Sequence, residues 1–186
     1  MKKKIAILGS TSSLGESLLS LIKENKNKFD IQLLTANTKY KIILKQAKIF
    51  KVKNLIITDP KSFELAQKKN LNKKIKIFKN FTSFNEILKK KIDYVMSAIS
   101  GIDGLKPTYE IIKHTKLIAI ANKEAIICGW HLIKRELDKN KTKFIPVDSE
   151  HFSIWYSLKD STINHIEKIY ITASGGPLYK IPNKQL

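Results

Sequence analysis

The chain has 186 residues, enough for one full domain or for one domain and the beginning of a second. Hydrophobic residues make up 42% of it, but no apolar run approaches the roughly 20 residues that a membrane-spanning helix needs. Its single cysteine, Cys128, excludes an intrachain disulfide, so the default location is the cytoplasm. A net charge of +19 invites a nucleic-acid reading, yet Arg135 is the only arginine among 35 basic residues, and the lysines are scattered among Ile and Asn along the whole chain. Recognition of phosphates and guanines favours clustered guanidinium groups. The charge therefore reads as a compositional bias, with neither nucleic acid nor membrane expected as a partner.

Lys3 to Leu8 reads as an apolar strand buried on both faces, too short to be the core of a secretory leader. Gly9 to Gly15 is a small-residue loop, and Leu14, Leu18, Leu19, Leu21 and Ile22 then recur at helical spacing. A strand over 29–36, a Lys-rich amphipathic helix over 40–50 and a strand over 54–58 follow. Asp59-Pro60 opens the next helix with a cap residue and a first-turn proline. Strands are predicted over 75–78, 93–99, 116–121 and 143–147, with helices near 83–90, 105–114 and 123–138 between them. Cys128, flanked by Ile126 and Ile127, is expected to be a small buried hydrophobe. This alternation predicts an α/β fold, a Rossmann-like open, mainly parallel sheet with helices on both faces. From position 148 the pattern changes to a short apolar helix through Phe152, Ile154, Trp155 and Leu158, then a strand over 166–173. The expected domains are 1–147 for nucleotide binding and 148–186 for the start of an α+β catalytic domain.

A glycine loop between a strand and a helix is the setting of a dinucleotide-binding turn. Gly9 would permit the turn, Gly15 would let the helix approach, and the helix N-terminus would offer N–H groups to a pyrophosphate. Ser12 stands where the usual pattern has a further glycine. Cofactor choice is read at the end of the second strand, where NAD-selective sites carry an acid. Asn37, Thr38 and Lys39 stand there with no acid among them, which favours the 2′-phosphate of NADPH. Further on, Asp148 and Glu150 are two residues apart. In an extended segment or tight loop their carboxylates would point to one side and suit a hard divalent cation.

Four segments in order carry a resemblance: Gly9 to Gly15, Ala121-Asn122-Lys123-Glu124, Pro146-Val147-Asp148-Ser149-Glu150-His151, and Thr172-Ala173-Ser174-Gly175-Gly176-Pro177. Together they resemble the 1-deoxy-D-xylulose 5-phosphate reductoisomerase family, over roughly the N-terminal half of its usual length. The resemblance implies an NADPH-dependent oxidoreductase of non-mevalonate isoprenoid biosynthesis, which uses Mg²⁺ or Mn²⁺ to rearrange and reduce a sugar phosphate. It implies that Asp148 and Glu150 are metal ligands and that both, with Lys123, are catalytic. Lys123, Ser149, Glu150 and Ser174 would bind substrate. Gly9, Ser10, Thr11, Ser12, Ser13, Leu14, Gly15, Asn37, Thr38, Lys39, Asn122 and Glu124 would hold the cofactor. His151 reads as a local packing or capping residue. The family's third carboxylate ligand and substrate loop would lie beyond Leu186, so weak or absent turnover is expected from these residues alone. A homodimer and a companion C-terminal half are the partners left open. The competing readings are another NADP-dependent oxidoreductase of the same fold class and a basic nucleic-acid-binding protein.

Overall fold

Ile5, Ala6, Ile7 and Leu8 are each at most 2% exposed, so β1 (Lys3–Leu8) is apolar on both faces and occupies the centre of a sheet. The computed structural model describes residues 1–71, 74–159 and 166–170. It sets β1 within seven strands in the order β4-β3-β2-β1-β5-β6-β7, and every pairing is parallel. The others are β2 (Phe29–Ala36), β3 (Asn54–Ile57), β4 (Lys76–Phe78), β5 (Tyr94–Ser97), β6 (Leu117–Ile120) and β7 (Lys143–Pro146). Parallel neighbours need crossovers, and helices supply them: α1 (Ser13–Glu24), α2 (Tyr40–Phe50), α3 (Pro60–Lys69), α4 (Phe84–Ile87), α5 (Leu105–Ile111) and α6 (Lys123–Asn140).

The period-2 alternation of β1 divides the core. Ile5 and Ile7 pack with Leu19 and Ile22 of α1, Ile43 and Ala47 of α2, and Ala66 of α3. Ala6 and Leu8 face the opposite layer, with Phe84 of α4, Ile111 of α5, and Ala125, Ile133 and Leu137 of α6. Helices therefore cover both faces, as expected of a Rossmann-like sheet.

Local signals account for several boundaries. The carboxylate of Asp59 accepts from Ser62 N at 2.7 Å and caps α3, with Pro60 in the first turn. The helix predicted near 83–90 is a single α turn at Phe84–Ile87 after a 3₁₀ turn over Phe81–Ser83. Cys128 is exposed, contrary to expectation. The inward stripe of α6 runs through Ala125, Gly129, Ile133 and Leu137 at four-residue spacing, and position 128 falls off it.

Contacts divide the chain into two units, Met1–Asp148 and Ser149–Leu186. In the second, α7 (Ser149–Leu158) is the short helix predicted from its apolar residues. The strand expected over 166–173 does not form over 166–170, and its last residues lie outside the described ones. Among the described residues, no helix is long and apolar enough to cross a membrane.

His114, 9% exposed, lies at the edge of the second layer, with Nδ1 3.2 Å from the Leu88 carbonyl and its ring edge-on to Phe84. Burial pushes its pKa below the ordinary value, the neighbouring Lys113 charge pushes the same way, and the Leu88 bond opposes them. The folded state therefore holds this imidazole neutral at pH values where the unfolded chain already binds a proton. Its contribution is complete above the unfolded pKa of about 6.5 and is lost as pH falls toward the lower folded pKa. Urea unfolding between pH 7.5 and 5 should show stability declining with acidification, with a shallower decline in His114→Phe. Equal slopes in the two proteins would remove His114 as the cause.

Candidate functional site

The strand order turns around at β1, with β2 on one side and β5 on the other. The segments leaving the C-terminal ends of β1 and β5 consequently diverge, and a crevice opens above them. A cleft of about 520 Å³ occupies that place. One wall is Gly9, Thr11 and Ser12, after β1; a second is Thr35 to Lys39, at the end of β2; a third is Ala98, Ile99 and Ser100, after β5.

The first wall is shaped by close backbone approach. Gly9 has φ +75°, and a Cβ there would stand 2.6 Å from the Ala98 carbonyl oxygen. A Cβ on Gly15 would stand 2.4 Å from the Gly9 carbonyl oxygen, so the start of α1 fits beneath the loop only without one. Ser12 N donates to the Gly9 carbonyl at 3.0 Å and closes the turn. The Ser12 side chain accepts from Gly15 N at 3.2 Å as the cap of α1, and its backbone is extended at φ −80°. Position 12 therefore makes no demand for a glycine conformation. The first-turn N–H groups of Ser13 and Leu14 have no intrahelical acceptor, and Thr11 N–H has none among the described residues. Three donors and the positive end of α1 thus lie at the loop that borders the cleft, a setting for an anion.

Asn37, Thr38 and Lys39 line the second wall. Lys39 Nζ donates to the Thr11 carbonyl at 3.1 Å and bridges the first two walls. Ser10 departs from its expected place. Its side chain is fully buried and turned beneath the loop, bonded to Gln46 Oε1 at 2.8 Å. Asn122 is 2% exposed and its amide is spent on the protein. Its Oδ1 accepts from Ala125 N at 2.8 Å to cap α6, while Nδ2 donates to the carbonyls of Ile99 and Gly101 at 2.5 and 2.6 Å. The amide thereby pins the segment after β5, so Asn122 shapes the third wall instead of lining it. Thr58, Phe81, Ser100 and Asp103 also line the cleft, Asp103 as its one carboxylate among the described residues; of these only Ser100 carries a sequence signal, its position just after a strand.

Lys123 and Glu124 are exposed in the first turn of α6, above the end of β6. Asp148 follows β7, whose pairing with β6 continues to Val147 N donating to the Ile120 carbonyl at 2.9 Å, so Lys123 and Asp148 follow adjacent strand ends. Of the extended segment or tight loop expected for the acid pair, Asp148 occupies a bend and Glu150 a helix. β7 stops at Pro146 and α7 begins at Ser149, placing Glu150 in a first helical turn where Ser149 Oγ donates to its Oε2 at 2.7 Å. These are oxygen donors of the kind magnesium or manganese takes, but no group of three or more His, Cys, Asp or Glu residues forms among the described residues. They fit such an ion in kind and fall short in number. Ser174 lies outside the described residues.

A doubly wound parallel sheet with a glycine-loop cleft at its turnaround defines a Rossmann-like nucleotide-binding fold. Residues 5–129 match the family model described as 1-deoxy-D-xylulose 5-phosphate reductoisomerase, and 144–186 match the model of that enzyme's C-terminal domain. The chain belongs to this family. It is 59% identical over 185 residues to the 1-deoxy-D-xylulose 5-phosphate reductoisomerase of Pelagibacter ubique, covering 98% of this chain and 48% of that protein. It is 36% identical to that of Porphyromonas gingivalis, covering 100% and 48%. A structure of the Zymomonas mobilis enzyme in complex with NADPH superposes with a TM-score of 0.75 at 30% identity, covering 81% of this chain and 40% of that one. A DOX-P reductoisomerase in complex with NADPH, fosmidomycin and magnesium gives 0.83 at 28% identity, covering 98% and 48%. The chain spans about half the length of the curated relatives it matches.

Gly15→Ala should lower stability by about 1–3 kcal/mol, because the new methyl meets backbone that can only move as a unit. Urea denaturation checks this, and a wild-type midpoint would show that α1 does not rest on the Gly9 turn.

Proposed function

We propose that this chain forms the cofactor-binding part, and the beginning of the metal and substrate site, of an NADPH- and divalent-metal-dependent reductoisomerase. Such an enzyme converts 1-deoxy-D-xylulose 5-phosphate to 2-C-methyl-D-erythritol 4-phosphate in non-mevalonate isoprenoid biosynthesis. The observation carrying the proposal is the cleft above β1 and β5, whose anion-facing loop and lysine-bearing second wall belong to a chain of the reductoisomerase family.

Thr11, Ser13 and Leu14 would hold the pyrophosphate through backbone N–H groups, with Gly9, Ser12 and Gly15 shaping the turn and Ser10 anchoring it. Asn37, Thr38 and Lys39 would take the 2′-phosphate. An ammonium suits that group, and the absence of a carboxylate from the segment 35–39 at the end of β2 removes the ribose partner that favours NADH. Asn122 would act by fixing the third wall and Glu124 by its position at the nicotinamide side. Asp148 and Glu150 are the proposed carboxylate ligands for Mg²⁺ or Mn²⁺, which when bound would polarise the substrate oxygens as a Lewis acid. Lys123 would bond a substrate hydroxyl, Ser149 the sugar-phosphate chain and Ser174 its phosphate. The proposed division of labour is cofactor binding by 1–147 and metal and substrate binding from 148 onward, in the cytoplasm. Residues 1–186 correspond to half of each relative, so turnover is expected only with the remainder of such a protein, on the same polypeptide or as a companion; a homodimer is the assembly proposed for the whole.

Titration with NADPH followed by nucleotide fluorescence tests the cofactor assignment. The chain should bind NADPH at micromolar concentration and NADH at least tenfold more weakly. Lys39→Ala should lose about tenfold for NADPH, the scale of one hydrogen bond to a charged group, with little change for NADH. Absence of NADPH binding would overturn the assignment, and so would affinity for random duplex DNA equal to that for NADPH and falling steeply with salt.

A further inference from the structure

Gln46 lies on the inward face of α2 beside Ile43, Leu44 and Ala47, 8% exposed, where an unsatisfied amide would be costly. It meets one residue twice. Its Nε2 donates to the Ser10 carbonyl at 2.9 Å and its Oε1 accepts from Ser10 Oγ at 2.8 Å, so a helix 36 residues away grips the loop beneath the cleft. β2 adds to the grip: Gly9 N donates to Thr35 Oγ1 at 2.8 Å and Ser10 N to the Thr35 carbonyl at 2.9 Å. No other side chain among the described residues holds the Ser10 carbonyl.

The carbonyl of one residue and the N–H of the next point in opposite directions across a trans peptide, and the described chain has no cis bond. Drawing the Ser10 carbonyl down onto α2 therefore turns the Thr11 N–H away from it, on a residue that lines the cleft. We propose that Gln46 is a positioning residue for nucleotide binding: by holding the Ser10 carbonyl against α2, it aims the Thr11 N–H at the pyrophosphate of the bound dinucleotide. The inference rests on the NADPH reading above and adds a specific cause for the loop's readiness to bind.

The test compares affinities for NADPH and for adenosine 2′-phosphate, which carries the adenosine end and its 2′-phosphate but no pyrophosphate. Gln46→Met keeps the side chain's bulk and removes both bonds. Gln46→Leu also removes both bonds without adding a charge, and serves if the Met variant fails to fold by circular dichroism. Each should bind NADPH about tenfold more weakly with adenosine 2′-phosphate unchanged. Equal losses for the two ligands would mean a general structural role and overturn the inference, as would unaltered NADPH affinity in both Gln46 variants. If the unsubstituted chain binds adenosine 2′-phosphate and not NADPH, or neither, the cofactor reading falls and this inference with it.

Discussion

The crossovers leaving β1 and β5 turn to opposite faces of the sheet, and the gap this creates above the buried C-terminal ends of the two strands is the constraint on which the molecule's chemistry depends. A chain leaving a central strand must turn within a few residues to begin a helix on one face without filling that gap. The turn after β1 does so by bringing backbone against backbone: Gly9 beside the Ala98 carbonyl, and Gly15 beneath the Gly9 carbonyl. Both contacts exclude a Cβ, so the same two positions that make the turn tight aim the N-terminus of α1 into the opening. Helix-end donors and the partial positive charge of α1 then arrive already oriented, and a phosphate needs no large rearrangement to meet them.

α2 serves this arrangement as well as covering the sheet. Most of its inward face is aliphatic, as packing demands, but Gln46 interrupts it at the point where the first loop passes overhead. Lys39, just before the helix, ties the same loop from the side through the Thr11 carbonyl. Two neighbouring residues of the loop thus have their carbonyls engaged, Ser10 below and Thr11 beside. The first leaves the Thr11 N–H, the sign of dipole useful to an anion, for the cleft, while the Ser12 N–H closes the turn onto the Gly9 carbonyl. The scattered lysines that give the chain its +19 charge act differently. They raise the approach rate of any anionic ligand, an effect that salt screens within about 10 Å at 0.1 M.

The helix and strand pattern was legible because parallel strands buried on both faces leave continuous apolar runs, and because explicit punctuation such as Asp59-Pro60 marks where helices begin. The loop and wall bordering the cleft, Gly9 to Gly15 and Asn37 to Lys39, were legible for the same reason: both follow strands directly. Side-chain direction was harder. Ser10 looked like one more loop donor because its partner, Gln46, lies 36 residues away on a helix read only for its amphipathicity. Cys128 looked buried because its sequence neighbours are apolar. In a helix the governing neighbours are three and four residues off, and α6 departs from helical φ/ψ at Gly129, the very next residue. The apolar strand leading into Asp148 and Glu150 suggests an extended segment or tight loop for both acids, yet the apolar face of Phe152 and Trp155 starts a helix at Ser149.

The cleft and the acids also differ in how much of the chain each requires. Every residue lining the cleft lies between positions 9 and 103, within the unit ending at Asp148, so the crossovers that cover the sheet also complete the walls. Asp148 ends that unit and Glu150 belongs to the next. Two carboxylates supply a minority of the six oxygens that magnesium prefers, and an ion held so sparsely keeps most of its water and little of its polarising grip on a carbonyl. The proposed affinity for a nucleotide is therefore one that a sheet and its helices can carry by themselves. Metal affinity, and any rearrangement that relies on it, depends on ligands gathered from more of the polypeptide. In a family whose members run to about twice this length, the two properties should separate cleanly when residues 1–186 are studied alone.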